Sequence, residues 1–142
     1  KVDPKKRMLF NPIESIDLNG NTGPFIQYTY ARIKSVLRKG EQMQLETANW
    51  KLEIGKEEKE VIKHLYYYPE LLKEAAANHS PALVAGYAYE LAKLYNHFYH
   101  ECPIVDAADV QRSALRLHLS KVTSLYIGSA LHLLGIDVPE RM

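Results

Sequence analysis

The stretch from Gly20 to Arg38 constrains the fold of this chain more than any other. Turn- and cap-forming residues at 20–23 come directly before Pro24, and no helix-breaking residue follows until Gly40. Proline suits the first turn of a helix, because its φ is already fixed and its missing N–H would have no partner there. Glycine is favoured just past a helix end. The stretch therefore predicts a helix that begins near Pro24 and ends near Gly40.

This helix has two different faces. Basic residues cluster on one side, and side chains at three- and four-residue spacings on the other side predict a face that packs on a core. The core-facing set is Phe25, Tyr28, Thr29, Ile33, Val36 and Leu37; the basic set is Arg32, Lys34, Arg38 and Lys39. Residues 1–39 carry eight Lys or Arg against three acidic residues, although the whole chain has a net charge of only +1. Such a concentration of positive charge indicates a polyanionic partner.

A second helix is predicted to begin at Lys56, because acidic residues fill its first turns and apolar residues follow. Its predicted buried side includes Ile62 and Tyr66. Proline disfavours helical geometry at the residue before it, so Pro69 predicts an interruption and a separate short helix over 69–78. Residues 41–55 show no sustained helical period and contain Trp50, so they predict a long loop.

Ser80 and Pro81 predict the start of a third helix that runs to about Glu101. Gly86 lies in its apolar stripe and predicts a close helix crossing. A fourth helix is predicted from 109 to 134, ending at Gly135. The sequence thus predicts an all-α fold, a helical bundle of about four main helices without internal repeats.

The composition narrows the class of protein. One cysteine, Cys102, cannot form an internal disulfide, which favours a reducing compartment. No signal peptide and no apolar run as long as a membrane span is visible. We therefore expect a cytoplasmic, monomeric protein without membrane contact. Because the sequence starts at Lys1 and not at methionine, we also expect a piece of a longer protein.

Three segments resemble one protein family. Gly20-Asn-Thr-Gly-Pro-Phe-Ile-Gln-Tyr-Thr-Tyr-Ala-Arg32 is similar to the segment that opens the C-terminal anticodon-binding domain of class I arginyl-tRNA synthetases. The segment 133–142, which closes on Glu-Arg-Met, is similar to the terminus of that family, and the His-Glu-Cys-Pro segment at 100–103 lies between them. The resemblance covers essentially all of the chain.

The resemblance implies a helical anticodon-binding domain of the DALR type at 23–142, preceded at 1–22 by a connector from a catalytic domain. It implies recognition of the anticodon loop of the tRNA for arginine, within an arginine-tRNA ligase that uses ATP and Mg²⁺. Both signature motifs of the class I catalytic domain are missing here. No catalytic residue, metal ligand or cofactor is therefore expected in this chain.

The resemblance and the basic clusters together predict the residues that bind tRNA. Basic side chains would contact phosphates, and an aromatic residue in the loop after the first helix would help to hold the anticodon. In the resembled synthetases the terminal methionine and its carboxylate lie beside the anticodon pocket. The predicted tRNA-binding residues are Arg32, Arg38, Lys39, Trp50, Arg112, Arg116, Arg141 and Met142.

Most of the ten tyrosines occur in apolar stripes and are predicted to pack in the core rather than to stack on bases. This set includes Tyr28, Tyr87, Tyr95, Tyr99 and Tyr126.

Two other classes of function stay open at this point. The first is a helical protein-interaction module that has the fold without RNA binding. The second is a free-standing enzyme with a metal site at His97 and His100, although no second Cys/His cluster accompanies them. Cys102 beside His100 is a weak candidate for a nucleophile pair and is predicted to pack as a small apolar side chain.

Overall fold

The structure, a computed structural model, describes residues 11–18, 20–41 and 52–142, with only the backbone of Glu14 and Ser15. These residues form one short helix and four long ones: α1 (Pro12–Ser15), α2 (Gly23–Gly40), α3 (Lys56–Ala77), α4 (Pro81–Glu101) and α5 (Val110–Leu133). The described ranges contain no strand. The predicted all-α bundle of four main helices is therefore confirmed.

The ends of α2 and α5 follow the signals in the sequence. The Thr22 hydroxyl caps α2 by accepting the N–H of Phe25 at 3.2 Å, and Pro24 lies in the first turn. The Asp109 carboxylate caps α5 by accepting the N–H of Arg112 at 2.9 Å. Gly135 ends α5 with φ +72°, a left-handed conformation that side-chain-bearing residues rarely adopt.

The interruption predicted at Pro69 is wrong. Helix α3 continues from Lys56 to Ala77 with Pro69 inside it. Proline removes one backbone hydrogen bond, but Leu65, Tyr68 and Leu71 on either side of it belong to one continuous buried face. Burying that whole face against the bundle offsets the lost bond. The predicted buried side of this helix is also partly wrong, because Ile62 and Tyr66 are exposed: Ile62 37%, Tyr66 87%.

The four long helices alternate in direction. Side chains at the start of α2 lie near the end of α5, and Gly40 at the end of α2 lies against Leu117 in the first half of α5. Helix α3 begins beside the start of α5, where Arg116 bonds Glu58, and returns to α4 through a short turn. Helices α2 and α3 each contact both α4 and α5. The end of α2, the start of α3, the end of α4 and the start of α5 thus share one end of the bundle.

The core lies between these helices. Its largest fully buried apolar side chains come from all four: Ile33, Val61, Leu91, Tyr95, Phe98, Ile127 and Leu131. The close helix crossing expected at Gly86 is wrong, since an added Cβ there would have no neighbour within 4 Å. The close approach lies at Gly40, where an added Cβ would be 2.6 Å from Cδ1 of Leu117. None of the described helices is both long and apolar enough to cross a membrane.

Candidate nucleic-acid interface

A cleft of about 490 Å³ runs along the outer side of α2. We call it the basic cleft, because four of its lining residues are cationic. Its lining residues are Tyr28, Ala31, Arg32, Ser35, Val36, Arg38, Lys39, Tyr99, Arg141 and Met142. Five of the eight predicted tRNA-binding residues are among them. The structure therefore brings Arg32, Arg38 and Lys39 of α2 together with the last two residues of the sequence, whereas Lys34, predicted to share their face, does not line the cleft.

Arg32 lies between two aromatic rings in this cleft. Its guanidinium carbon is 4.9 Å from the ring centroid of Tyr28 and 5.3 Å from that of Tyr99. Tyr28 is four residues before Arg32 on α2 and so shares its face, whereas Tyr99 comes from the last turns of α4. Both tyrosines are predicted to be core residues: Tyr99 does pack, partly buried, against the core and also lines the cleft, whereas Tyr28 lines the cleft instead. Their rings and the guanidinium form one flat-faced, positively charged surface.

A chain of hydrogen bonds under the cleft fixes the direction of Arg32. Its Nη1 donates to Oδ1 of Asn96, and Nδ2 of Asn96 donates to the hydroxyl of Thr29 at 2.8 Å. That hydroxyl donates to the carbonyl of Phe25 at 2.9 Å, and Thr29 is fully buried. A partly buried chain of hydrogen bonds of this kind rigidifies the groups that it joins. Arg32 therefore lies in a set position before any ligand arrives.

The last residues reach the cleft by running back along α2. Nε2 of Gln27 donates to the carbonyl of Asp137 at 2.7 Å, and Nη1 of Arg38 donates to the carbonyl of Glu140 at 3.4 Å. Nζ of Lys34 lies 3.4 Å from a carboxylate oxygen of Glu140. These contacts carry the chain from one end of the bundle toward the other and deliver Arg141 and Met142 to the basic cleft.

Arg112 and Arg116 do not line the basic cleft. Nε of Arg116 donates to Oε1 of Glu58 at 2.7 Å, and its Nη1 donates to the carbonyl of Pro103 at 2.8 Å. Nη1 of Arg112 lies 3.7 Å from Oε2 of Glu58 and donates to the carbonyl of Glu53 at 3.2 Å. The two arginines thus share one buried carboxylate, which is 1% exposed. We call these side chains the Glu58 cluster.

The charge of Glu58 is stabilised within this cluster. Burial alone would raise the pKa of its carboxyl, but hydrogen bonds from Arg116 and from the N–H of Gly55, with the charges of both arginines, lower the pKa below its ordinary value. The bond from Gly55 is 2.7 Å long and also closes the start of α3. Arg116 is mostly buried by these contacts, while Arg112 keeps a 28% exposed side chain.

The remaining predicted residue, Trp50, lies outside the described residues, as do most of the predicted loop and residues 1–10 of the predicted connector. Sequence reasoning did not assign Tyr28, Tyr99 or Asn96 to the site. The four-residue spacing of Tyr28 and Arg32 could have indicated that pair. Nothing in the sequence could indicate Tyr99 and Asn96, because their place beside α2 depends on how α4 packs.

The structure does not support a metal site at His97 and His100 or a nucleophile pair at Cys102 and His100. In the ranges that the structure describes, no group of three or more His, Cys, Asp or Glu side chains is placed to hold a metal ion. Cys102 is buried at the end of α4 as predicted, and burial raises the pKa of its thiol, which disfavours the reactive thiolate.

The chain is similar in sequence to known proteins. Residues 26–142 match the family model described as "DALR anticodon binding domain". The chain is 55% identical over 142 residues to the arginine-tRNA ligase of Flavobacterium psychrophilum and 49% identical over 145 residues to that of Parabacteroides distasonis. Each match covers 100% of this chain but only 23% and 24% of the relative, so the chain spans about a quarter of their length.

Solved structures show the same fold. The arginyl-tRNA synthetase of Thermus thermophilus superposes with a TM-score of 0.87 at 31% identity, over 98% of this chain and 24% of that one. The arginyl-tRNA synthetase of Plasmodium falciparum superposes with a TM-score of 0.83 over 99% of this chain and 25% of that one. At 24% identity, the second likeness is one of fold alone.

Proposed function

Because the chain belongs to the DALR anticodon-binding domain family, we propose that it binds the anticodon loop of the tRNA for arginine. The observation that carries this proposal is the basic cleft, in which four cationic side chains surround two tyrosine rings. A tRNA loop offers the two chemical features that such a cleft fits, namely a phosphate backbone and unstacked bases.

Within the cleft, the residues divide by chemistry. The exposed side chains of Lys39 and Arg141 can reach phosphates, which provide affinity without reading sequence. Tyr28, Arg32 and Tyr99 offer flat faces on which a base can stack, a contact worth about 1 to 3 kcal/mol per base. Arg112 keeps an exposed fraction in the Glu58 cluster and stays a candidate for phosphate contact; Arg116 is committed to Glu58 and Pro103.

We propose that the longer protein is an arginine-tRNA ligase, as the names of the relatives indicate. ATP would supply the energy for esterifying arginine to tRNA, with Mg²⁺ on its phosphates. The described residues of this chain do not fit that role, because they bring together no metal-binding group. We assign ATP, Mg²⁺ and arginine to other parts of the longer protein, and anticodon binding to this one. The monomeric state and the cytoplasmic location stay predictions.

The test is binding of the chain to an arginine-tRNA anticodon stem-loop and to the same stem-loop with its middle anticodon cytosine replaced, each across a salt series. We expect tighter binding of the unaltered loop, and an affinity that falls as salt rises. Lys39→Gln and Arg141→Gln should each weaken binding to both loops and reduce the slope of log affinity against log salt by about 1.

Lys73→Gln is the matched control, since Lys73 is an exposed lysine on α3 that pairs with Glu70 outside the cleft. It should leave both the affinity and the salt slope unchanged. Equal binding of the two loops, together with equal effects of all three substitutions, would contradict the proposal and favour a protein-interaction module.

A further inference from the structure

The segment after α5 is held on α2 at two levels. Gly135 reverses the chain, and the segment 136–142, here called the tail, then runs parallel to α2. Gln27 holds the tail at Asp137, at the start of α2, and Lys34 and Arg38, about two and three turns further along, hold it at Glu140. The two residues that follow Glu140 line the basic cleft.

Lys34 and Glu140 form an ion pair between α2 and the tail, and neither residue belongs to the lining of the cleft. Nζ of Lys34 is 3.4 Å from Oε1 of Glu140 and 5.3 Å from the ring centroid of Tyr30. The Lys34 side chain is 27% exposed, whereas that of Glu140 is 69% exposed. Lys34 is therefore the more buried partner, with its ammonium group over the ring of Tyr30, and Glu140 is the more exposed partner, carried by the tail.

The pKa of Lys34 also suits this contact, because it is raised and favours the charged form. Burial by itself would lower the pKa of its ammonium group, but the hydrogen bond and charge of Tyr30 and the charge of Glu140 outweigh burial and raise it. The raised pKa keeps the ammonium group of Lys34 charged across the neutral range, where it can pair with the side chain of Glu140.

We infer that Lys34 is a positioning residue: by pairing with Glu140 it holds Arg141 and Met142 in the basic cleft, and it sets RNA affinity without contacting RNA itself. This inference rests on the proposed function. It extends that function because it assigns a role to Lys34 and Glu140. Neither residue lines the cleft, and neither is among the predicted tRNA-binding residues.

The test is a charge swap in the chain, with binding to the arginine-tRNA anticodon stem-loop as the readout. Lys34→Glu and Glu140→Lys should each weaken binding roughly threefold to tenfold, and the double variant should return to within about twofold of the original affinity. Glu140→Lys is the decisive single change. It adds positive charge beside the cleft, so charge alone would strengthen RNA binding, whereas loss of positioning weakens it.

Two further readouts separate positioning from a direct contact and from a folding defect. The slope of log affinity against log salt should stay unchanged in the double variant, because a positioning residue releases no counterion from the RNA. The midpoint of thermal unfolding should stay unchanged in Glu140→Lys, whose side chain is 69% exposed, so weaker RNA binding by this variant cannot be assigned to a folding defect. The equivalent swap of Lys73 and Glu70 on α3, an exposed pair outside the cleft, should alter nothing.

The outcomes are distinct. Stronger or unaltered binding by Glu140→Lys, or a double variant as weak as Lys34→Glu, would overturn the inference while leaving the proposed function intact. If the unaltered chain binds both stem-loops equally, that result contradicts the proposed function itself, and the inference, which rests on it, falls with it.

Discussion

At the scale of single residues, Glu58 shows how one carboxylate can organise three parts of the chain. It accepts hydrogen bonds from Gly55 before α3 and from Arg116 on α5, and Arg116 also holds the carbonyl of Pro103 after α4. Removing one partner of a buried ion pair is costly, because the other charge stays buried without compensation. The Glu58 cluster therefore stabilises the end of the bundle at which α2 ends and α3 begins.

Arg116→Met should lower the free energy of unfolding at neutral pH by about 3 to 5 kcal/mol. The loss should shrink as the pH falls below 4.5, the ordinary pKa of a glutamic acid side chain. The folded-state pKa of Glu58 is lowered, so its contribution to stability is fully present above the unfolded-state pKa and disappears as the pH falls through the folded-state pKa. Urea denaturation of both proteins across a pH series would measure this.

Lys121→Met provides the matched control for that prediction. Lys121 lies on the same helix but is exposed, so this change should alter stability by no more than about 0.5 kcal/mol at any pH. A loss for Arg116→Met that equals the control, or that does not depend on pH, would show that the Glu58 cluster contributes little to folding.

At the scale of elements, α2 serves the core and the cleft together. Ile26 and Ile33 on one side are buried in the core, while Arg32 and Lys39 on another side line the cleft. Its last residue, Gly40, lets Leu117 of α5 pack directly on the α2 backbone. The close packing of α2 against α5 at this point therefore requires a residue without a side chain at position 40.

Gly40→Ala should destabilise the chain by about 1 to 2 kcal/mol, because its Cβ would lie within 2.7 Å of both Cδ atoms of the buried Leu117. Gly86→Ala in the middle of α4 should instead stabilise it by about 0.5 to 1 kcal/mol, since nothing lies within 4 Å and alanine is the better helix former. Thermal unfolding of the two variants would give opposite shifts. Shifts of the same sign would contradict the assigned crossing point.

At the scale of the whole molecule, the two ends of the bundle differ in character. At one end lie the Glu58 cluster and, at the end of α2, the cleft residues Arg38 and Lys39. The opposite end carries α1, where Ile13 is 79% and Ile16 69% exposed, and an apolar groove of about 360 Å³ between the turn that joins α3 to α4 and the end of α5. Because the relatives are about four times longer than this chain, we propose that their catalytic part covers the exposed apolar residues of α1.

Replacing Ile13 and Ile16 together with serine should leave the stability of this chain within about 0.5 kcal/mol, because neither side chain is buried in it. In the longer protein the same change should lower the thermal midpoint and the rate of tRNA aminoacylation, while binding of the isolated stem-loop stays as it was. Calorimetry and aminoacylation assays would measure this. An unaffected longer protein would mean that α1 is exposed there too.

The boundaries of the helices were largely predictable from local sequence. Thr22 with Pro24, Asp109 and Gly135 set helix ends through their own backbone geometry and nearest hydrogen bonds, so no tertiary information was needed. Pro69 was the exception, since the same local logic predicted a break. There the gain from burying Tyr68 and Leu71 in the bundle outweighed a local preference.

The candidate site was predictable only in part. By itself the sequence determined that Arg32 and Lys39, seven residues apart, share a side of α2 and that the closing Glu-Arg-Met resembles the family's terminus, because helical spacing and a motif are properties of neighbours along the chain. Only the tertiary structure decided that Tyr99 and Asn96 meet Arg32, that Glu140 returns to Lys34, and that Arg116 bonds a buried carboxylate rather than facing the cleft. These pairs lie 58 to 106 positions apart, a separation that only the packing of whole helices can close.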